Sequence, residues 1–118
     1  MLVVDDYADS AESMAALLQM DGHEVRTAHD GVTAIKMARQ FKPGIVFLDI
    51  GLPGIDGYEV ARAFRADPAL REVHLVALTG YAQPEDVARA REAGFDGHLA
   101  KPPSIEAIER ALATIVDQ

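Results

Sequence analysis

The chain has 118 residues, of which 49% are hydrophobic and none is cysteine, so we expect a single globular domain over residues 1–118 without disulfides or thiolate metal sites. The net charge of −8 repels phosphate backbones, and no apolar run is long enough to span a bilayer, so we expect no direct binding to nucleic acid or membrane. A cysteine-free chain also fits a reducing cytoplasm, which is the location we expect.

Strand patterns and helix patterns alternate along the chain. The predicted strands lie at residues 2–4, 24–28, 45–48, 75–78 and 98–100. Residues 45–48 and 75–78 are apolar at every position, which is typical of strands covered on both faces. Residues 24–28 alternate apolar and polar side chains, which indicates a half-exposed edge strand.

Helical spacing of apolar residues follows four of the five predicted strands, and Pro84 marks the start of a helix after strand 4. The predicted buried faces comprise Ala11, Met14, Leu17 and Leu18; Val32, Ile35 and Ala38; Val60, Ala63 and Phe64; and Ile105, Ile108, Leu112 and Ile115. Met20 and Met37 are expected in the core or at its rim. Cap residues mark the helix starts: Asp30, Asp56 with Glu59, Pro84 and Ser104.

Five strand-then-helix units predict an α/β fold with a parallel sheet covered by helices on both faces. The common order for such a five-stranded sheet is 2-1-3-4-5, the flavodoxin-like arrangement with five flanking helices. In that order a ligand crevice opens at the carboxyl ends of strands 1 and 3.

Charged and polar residues follow several strands at this carboxyl edge. Asp5 and Asp6 follow strand 1, and Asp49 ends strand 3, so three carboxylates should converge. Thr79 ends strand 4 and Lys101 follows strand 5. A like-charged pair about 4 Å apart repels by roughly 4 kcal/mol at an effective dielectric near 20. A hard divalent cation such as Mg²⁺ relieves that repulsion and binds oxygen ligands.

A crevice with clustered carboxylates, a metal ion and a lysine suits a phosphoryl group. Asp49 can attack phosphorus as a nucleophile and form an acyl phosphate. The metal ion and Lys101 would neutralise charge on the transferring oxygens. The loop at residues 50–54 is rich in glycine, which lets the backbone approach the site closely.

Asp5-Asp6, "LDIGLPGIDGYE", "ALTG" and "AKP" together resemble the receiver domain of response regulators in two-component signalling systems. The resemblance covers the whole chain. It implies that Asp49 is the phosphoacceptor, that Asp5, Asp6, Asp49 and the Gly51 carbonyl hold Mg²⁺, and that Thr79 and Lys101 contact the phosphoryl group. It further implies a phosphorylation-dependent switch that shifts the surface of strand 4, helix 4 and strand 5.

The resemblance also implies partner proteins, and the chain differs from the usual family pattern at one position. The phosphodonor would be a histidine kinase or a histidine phosphotransfer domain, and the state would be read by a downstream protein or a linked domain. His98 takes the place where the family often has a switching Tyr or Phe, so its coupling to Thr79 differs from the usual pattern. The chain is expected to be a self-phosphorylating receiver, stand-alone or excised from a hybrid histidine kinase, rather than a turnover enzyme.

Two other functions fit parts of the pattern. An aspartyl-nucleophile phosphatase with true turnover would place its nucleophile on strand 1, with a second Asp two residues later. A flavodoxin-like cofactor module would need a phosphate-binding loop after strand 1, where this chain has acidic residues. Taken singly, Asp5, Asp6 and Asp49 could also be cap or turn residues, and Lys101 a solvated side chain.

Overall fold

The computed structural model describes residues 1–20, 22–51, 56–80, 84–101 and 103–116, without the side chains of Pro84 and of residues 114–116. The strands are Leu2–Val4 (β1), Arg26–Ala28 (β2), Ile45–Asp49 (β3), His74–Thr79 (β4) and Gly97–Ala100 (β5). The helices are Ala8–Met20 (α1), Gly31–Phe41 (α2), Gly57–Ala66 (α3), Pro84–Ala93 (α4) and Ile105–Val116 (α5). The predictions for residues 52–54 and for the side chain of Ile115 lie outside the described residues.

The five strands form one parallel sheet in the order β2-β1-β3-β4-β5, which confirms the predicted topology. β1 lies between β2 and β3, so the ends of β1 and β3 are neighbours. The register pairs Val4 with Leu48 and Asp49 with Leu78. This register brings the residues that follow β1 beside the carboxyl end of β3.

The core has two parts, one on each face of the sheet. Alternate residues of β3 divide between them: Val46 and Leu48 pack with α2, α3 and α4, while Ile45 and Phe47 pack with α1 and α5. Every residue of β3 is buried, as the uninterrupted apolar run predicts. The sheet is therefore rigidly held on both faces where it carries Asp49.

The predicted caps at Asp30, Asp56 and Ser104 are confirmed, and Pro84 is the first residue of α4. The backbone N–H of Thr33 donates to the Asp30 carboxylate at 2.7 Å, and that of Glu59 donates to Asp56 at 2.9 Å. The Ala107 N–H donates to the Ser104 hydroxyl at 3.1 Å. These bonds satisfy N–H groups that have no partner within their own helix.

Some predicted packing positions are wrong. Val32 is 54% exposed, because α2 packs through Ala34 and Ala38 and residue 32 lies about 200° around the helix from residue 34. Ile105 is also 54% exposed, because it is the first residue of α5 and the buried contact with the sheet begins at Ile108. Met20, at the end of α1, is 84% exposed.

The second strand is shorter than predicted. It covers residues 26–28, whereas the pattern indicates 24–28. Pairing begins at Arg26 opposite Leu2, because β1 itself starts there and offers only three residues to pair with. Glu24 instead accepts a hydrogen bond from the N-terminal ammonium through its carbonyl, at 2.7 Å.

A cluster of hydrogen bonds around Arg65 lies at the opposite edge of the sheet, near the amino ends of β4 and β5. Its guanidinium donates to the carbonyls of Gly94, Arg71 and Val73 at 2.6 to 2.9 Å, and to the Asp96 carboxylate at 2.8 Å. Gly94 has a φ of +113°, and a Cβ there would lie 2.7 Å from the Arg65 side chain. The end of α3 is thereby tied to the segments that precede β4 and β5.

Among the helices in the described part of the chain, none combines the length and the apolarity that a membrane crossing requires.

Candidate functional site

Asp49 is the last residue of β3 and its side chain is fixed from two directions. The Gly51 backbone N–H donates to Oδ1 at 3.0 Å, and the Lys101 ammonium donates to Oδ2 at 2.8 Å. Only 7% of the residue is exposed. A carboxylate that accepts a charge-assisted bond on one oxygen and a backbone bond on the other is held in one orientation.

Asp5 directly follows β1 and is the most deeply buried of the acidic residues at this edge, at 2% exposure. Its backbone N–H donates to the Ala28 carbonyl at 3.0 Å, which continues the pairing with β2 for one residue. Its Oδ1 accepts from the Tyr7 N–H at 3.0 Å, and its Oδ2 lies 3.0 Å from the Lys101 ammonium. The carboxylates of Asp5 and Asp49 therefore both contact the Lys101 ammonium.

Asp6 completes the acidic cluster from the solvent side. One carboxylate oxygen from each of Asp5, Asp6 and Asp49 lies within 4.8 Å of the other two, and Asp6 is the exposed member. Two oxygens bound to one Mg²⁺ ion lie about 3 to 4 Å apart, from ligand distances near 2.1 Å in octahedral geometry. The donor set thus fits a small divalent cation with modest side-chain adjustment, and the exposed side leaves room for the waters that Mg²⁺ keeps.

The formal charges of the site favour a divalent cation as well. Three carboxylates and one ammonium sum to −2, which one divalent ion neutralises. Even at 4.8 Å, the upper limit of these separations, two carboxylates repel by about 3.5 kcal/mol at an effective dielectric near 20. The lysine alone relieves only part of this repulsion.

Lys101 follows β5, two strands away from β3, and its side chain reaches across the edge of the sheet. Burial acts to lower the pKa of Lys101, but hydrogen bonds to Asp49 and Asp5 outweigh burial and raise the pKa above its ordinary value. The ammonium therefore stays charged at neutral pH. Its backbone N–H also donates to the Thr79 carbonyl at 2.9 Å, which fixes the end of β5 against the end of β4.

Burial also shifts the pKa of Asp5. Loss of hydration raises the pKa of Asp5 above its usual range, and the bonds from Tyr7 and Lys101 oppose that rise. A titratable group whose pKa is shifted by burial beside specific charged partners is typical of a functional site.

The remaining predicted residues lie at the same edge with different exposure. Thr79 ends β4, one residue beyond the pair of Leu78 with Asp49, and is partly buried. Gly51 is exposed and joins the cluster through its N–H bond to Asp49. His98 lies on β5 opposite Ala77 and is exposed, so in this structure its ring is outside the core.

A residue that the sequence pattern does not single out also touches the site. Gly57, the first residue of α3, donates its N–H to the Ile50 carbonyl at 2.9 Å. A Cβ at this position would lie 2.5 Å from the Ile50 Cα and 2.6 Å from the Asp49 carbonyl oxygen. The signal in the sequence was the glycine that follows the cap residue Asp56, a position that capping alone does not require to be glycine.

A groove lies beside the acidic cluster along α1. Its volume is about 430 Å³, and its lining comprises Asp5, Asp9, Ser10, Ser13, Met14, Leu17, Leu78, Lys101 and Pro103. The groove thus gives access to Lys101 and Asp5 from the side of α1.

The fold and the site together define a doubly wound α/β protein with an acidic crevice at the switch point of its sheet. Comparison with known families gives a match to the response regulator receiver domain over residues 1–113. The chain therefore belongs to the response regulator receiver domain family.

Individual relatives agree with this assignment. The chain is similar to the response regulator PleD of Caulobacter vibrioides, with 37% identity over 102 residues, which are 86% of this chain and 22% of PleD. A putative response regulator from Chloroflexus aurantiacus has a crystal structure that superposes with a TM-score of 0.92, at 30% identity, covering 99% of this chain and 96% of that one.

A third similar structure carries a metal ion. The receiver domain of the sensor histidine kinase PA1611 from Pseudomonas aeruginosa has a magnesium ion coordinated in its active-site cleft. Its TM-score with this chain is 0.90, at 30% identity, with coverage of 99% of this chain and 96% of that domain.

Proposed function

We propose that Asp49 accepts a phosphoryl group from a histidine of a partner protein in a Mg²⁺-dependent reaction, and that the chain acts as a signalling switch. The observation that carries this proposal is the setting of Asp49, a largely buried carboxylate fixed by Gly51 and Lys101 beside two further acids. A structural carboxylate at a strand end needs one partner, whereas this one belongs to a cluster with a net formal charge of −2.

Asp5, Asp6, Asp49 and the carbonyl of Gly51 would hold the Mg²⁺ ion. The oxygen-only donor set and its separations support this choice, as does the magnesium ion of the PA1611 receiver domain. When bound, the ion would supply charge neutralisation to the transferring phosphoryl oxygens.

The reaction follows from the orientation of Asp49. One of its carboxylate oxygens forms a bond to phosphorus while the bond from phosphorus to the partner's histidine nitrogen breaks. The leaving nitrogen keeps the electron pair of that bond and takes a proton from water, so the histidine departs neutral. Lys101, which lies 2.8 Å from Asp49 Oδ2, would pair with a phosphoryl oxygen and offset its charge.

Thr79 and His98 would carry the change to the surface of β4, α4 and β5. Phosphorylation adds about 1.5 to 2 negative charges at neutral pH, which would attract the hydroxyl of Thr79. The bond between the Lys101 N–H and the Thr79 carbonyl would transmit movement of Thr79 to β5, where His98 lies at the surface. A partner that prefers one arrangement would then read the state.

We further propose the biological setting. Residues 1–118 would form a single receiver domain in the cytoplasm. Its phosphodonor would be a histidine kinase or histidine phosphotransfer domain, and a downstream protein or linked domain would read its state. Because the chain spans only about a fifth of PleD, the role of any longer protein is part of the proposal.

Incubation with acetyl phosphate and MgCl₂, followed by intact-mass measurement, tests this function. We expect a stable gain of one phosphoryl group, lost in Asp49→Asn and in EDTA, and retained in Asp86→Asn, a matched substitution on α4. A gain that survives in Asp49→Asn would contradict the role of Asp49. Release of phosphate from phosphate esters over many turnovers would instead favour an aspartyl phosphatase.

A further inference from the structure

The close approach of α3 to the end of β3 depends on a single residue. Gly57 has its Cα against the backbone of Asp49 and Ile50, and an added Cβ would lie 2.5 Å from the Ile50 Cα and 2.6 Å from the Asp49 carbonyl oxygen. Non-bonded carbon contacts normally begin near 3.5 Å, so any side chain would force the two segments apart by about 1 Å. Both neighbouring atoms belong to backbone, so a change of rotamer cannot relieve the contact.

The helix has little freedom to make this movement. Four residues of the first two turns of α3 are buried, at 0 to 5% exposure: Tyr58, Val60, Ala61 and Phe64. The Tyr58 ring packs edge-on against Phe95, with centroids 6.5 Å apart, and carries the Arg89 guanidinium 4.3 Å above it. Close-packed interiors resist such displacement.

The loop after β3 is the more yielding side. Ile50 is partly buried and Gly51 is exposed, so displacement would fall on these two residues. Ile50 bonds to Leu78 through its N–H, at 3.1 Å, and to the Gly57 N–H through its carbonyl, at 2.9 Å. Gly51 orients Asp49 through the N–H bond to Oδ1 and supplies the carbonyl proposed to bind the metal ion.

We infer that Gly57 is a positioning residue for phosphoryl transfer: the absence of a side chain lets α3 hold the Ile50–Gly51 backbone where it orients Asp49 and presents the metal-binding carbonyl. The inference rests on the proposed function of Asp49. Gly57 itself does not contact the phosphoryl group and acts only through Ile50 and Gly51.

The test compares Gly57→Ala with Gly44→Ala. A Cβ at Gly44, an exposed loop residue before β3, meets no atom within 4 Å, so the same substitution is sterically free there. At a temperature well below both melting points, we expect Gly57→Ala to be phosphorylated by acetyl phosphate about 10- to 100-fold more slowly at saturating Mg²⁺, because displacements near 1 Å cost rates of this size. We also expect weaker Mg²⁺ binding in Gly57→Ala and unchanged values in Gly44→Ala.

The outcomes separate this inference from the proposed function. If the unsubstituted chain is not phosphorylated on Asp49, the proposed function fails. If it is phosphorylated, and Gly57→Ala melts lower but keeps the same rate and the same Mg²⁺ dissociation constant, then Gly57 is merely structural and the inference is overturned.

A measurement on the unsubstituted chain covers the case in which Gly57→Ala does not fold. In ¹⁵N-resolved NMR spectra, we expect the Gly57 and Gly51 amide signals to shift with the same Mg²⁺ dissociation constant while the Gly44 signal stays in place. A Gly57 signal that does not respond while that of Gly51 does would also overturn the inference.

Discussion

Replacement of Lys101 by methionine tests the electrostatic account of the site. The ammonium lies 2.8 Å from Asp49 Oδ2 and 3.0 Å from Asp5 Oδ2, and both carboxylates are largely buried. Methionine keeps much of the side-chain volume but leaves the two acids facing each other without a cation. We therefore expect lower stability in the absence of metal.

The size of the stability loss in Lys101→Met follows from the burial of the two carboxylates and the distances between the charged groups. Removal of one partner from a buried ion pair costs about 3 to 5 kcal/mol, and the partial exposure of Lys101 places this case at the lower end, near 3 kcal/mol. The carboxylate oxygens of Asp5 and Asp49 lie within 4.8 Å of each other, and at that upper limit two unit charges repel by about 3.5 kcal/mol at an effective dielectric of 20, which agrees in size. For a domain of this length about 3 kcal/mol corresponds to a melting temperature lowered by roughly 12 °C.

Thermal unfolding followed by circular dichroism provides the assay, with EDTA in one series and excess MgCl₂ in the other. Mg²⁺ should raise the melting temperature of Lys101→Met more than that of the unsubstituted chain, because the ion then binds three acids without a competing ammonium. Lys36→Met is the control, since Lys36 is exposed on α2. A Lys101→Met variant that melts like Lys36→Met in EDTA would refute this reasoning.

Two further predictions concern stability away from the acidic cluster. Arg65→Met should lower the free energy of unfolding by about 2 to 4 kcal/mol in denaturant titrations, because it leaves the Gly94 carbonyl and other acceptors without their donor. The control is Arg62→Met, a substitution at an exposed position of the same helix, which should have little effect. An equal effect of the two substitutions would contradict the role of Arg65. Hydrogen bonds from the Thr33 backbone and hydroxyl lower the pKa of Asp30 below its ordinary value of 3.8. The cap therefore stabilises the fold fully at pH values above 3.8, and its contribution is lost as the pH falls through the lowered pKa of the folded state. The difference in melting temperature between the unsubstituted chain and Asp30→Ala should thus be constant from about pH 5 to 7 and shrink below about pH 4, and a difference that grows on acidification would contradict this sign.

Local patterns were sufficient to predict the elements and their order. Residues 45–48 and 75–78 are apolar without interruption, which is typical of strands covered on both faces. Asp30, Asp56 and Ser104 cap the helices that the pattern assigned to them, because a cap depends on residues within one turn. These features depend on residues that are close together in the chain, so they can be predicted from the sequence.

Helix faces were predicted less well where packing decides them. Val32 and Ile105 carry apolar side chains at helical spacing, yet each is 54% exposed. The small residues Ala34 and Ala38 make the close contact of α2 with the sheet instead. Hydrophobicity alone does not distinguish a face that must approach closely from one that remains at the surface.

The sequence by itself determined that acids follow the first and third strands and that a lysine follows the fifth, which was sufficient to predict a cation site. Only the tertiary structure decided that Lys101 bridges Asp5 and Asp49 at 3.0 and 2.8 Å, and that Gly57 has no room for a side chain. The reason is physical: residue types and strand ends are local properties, whereas distances between side chains from different strands arise from the packing of the whole sheet and its helices.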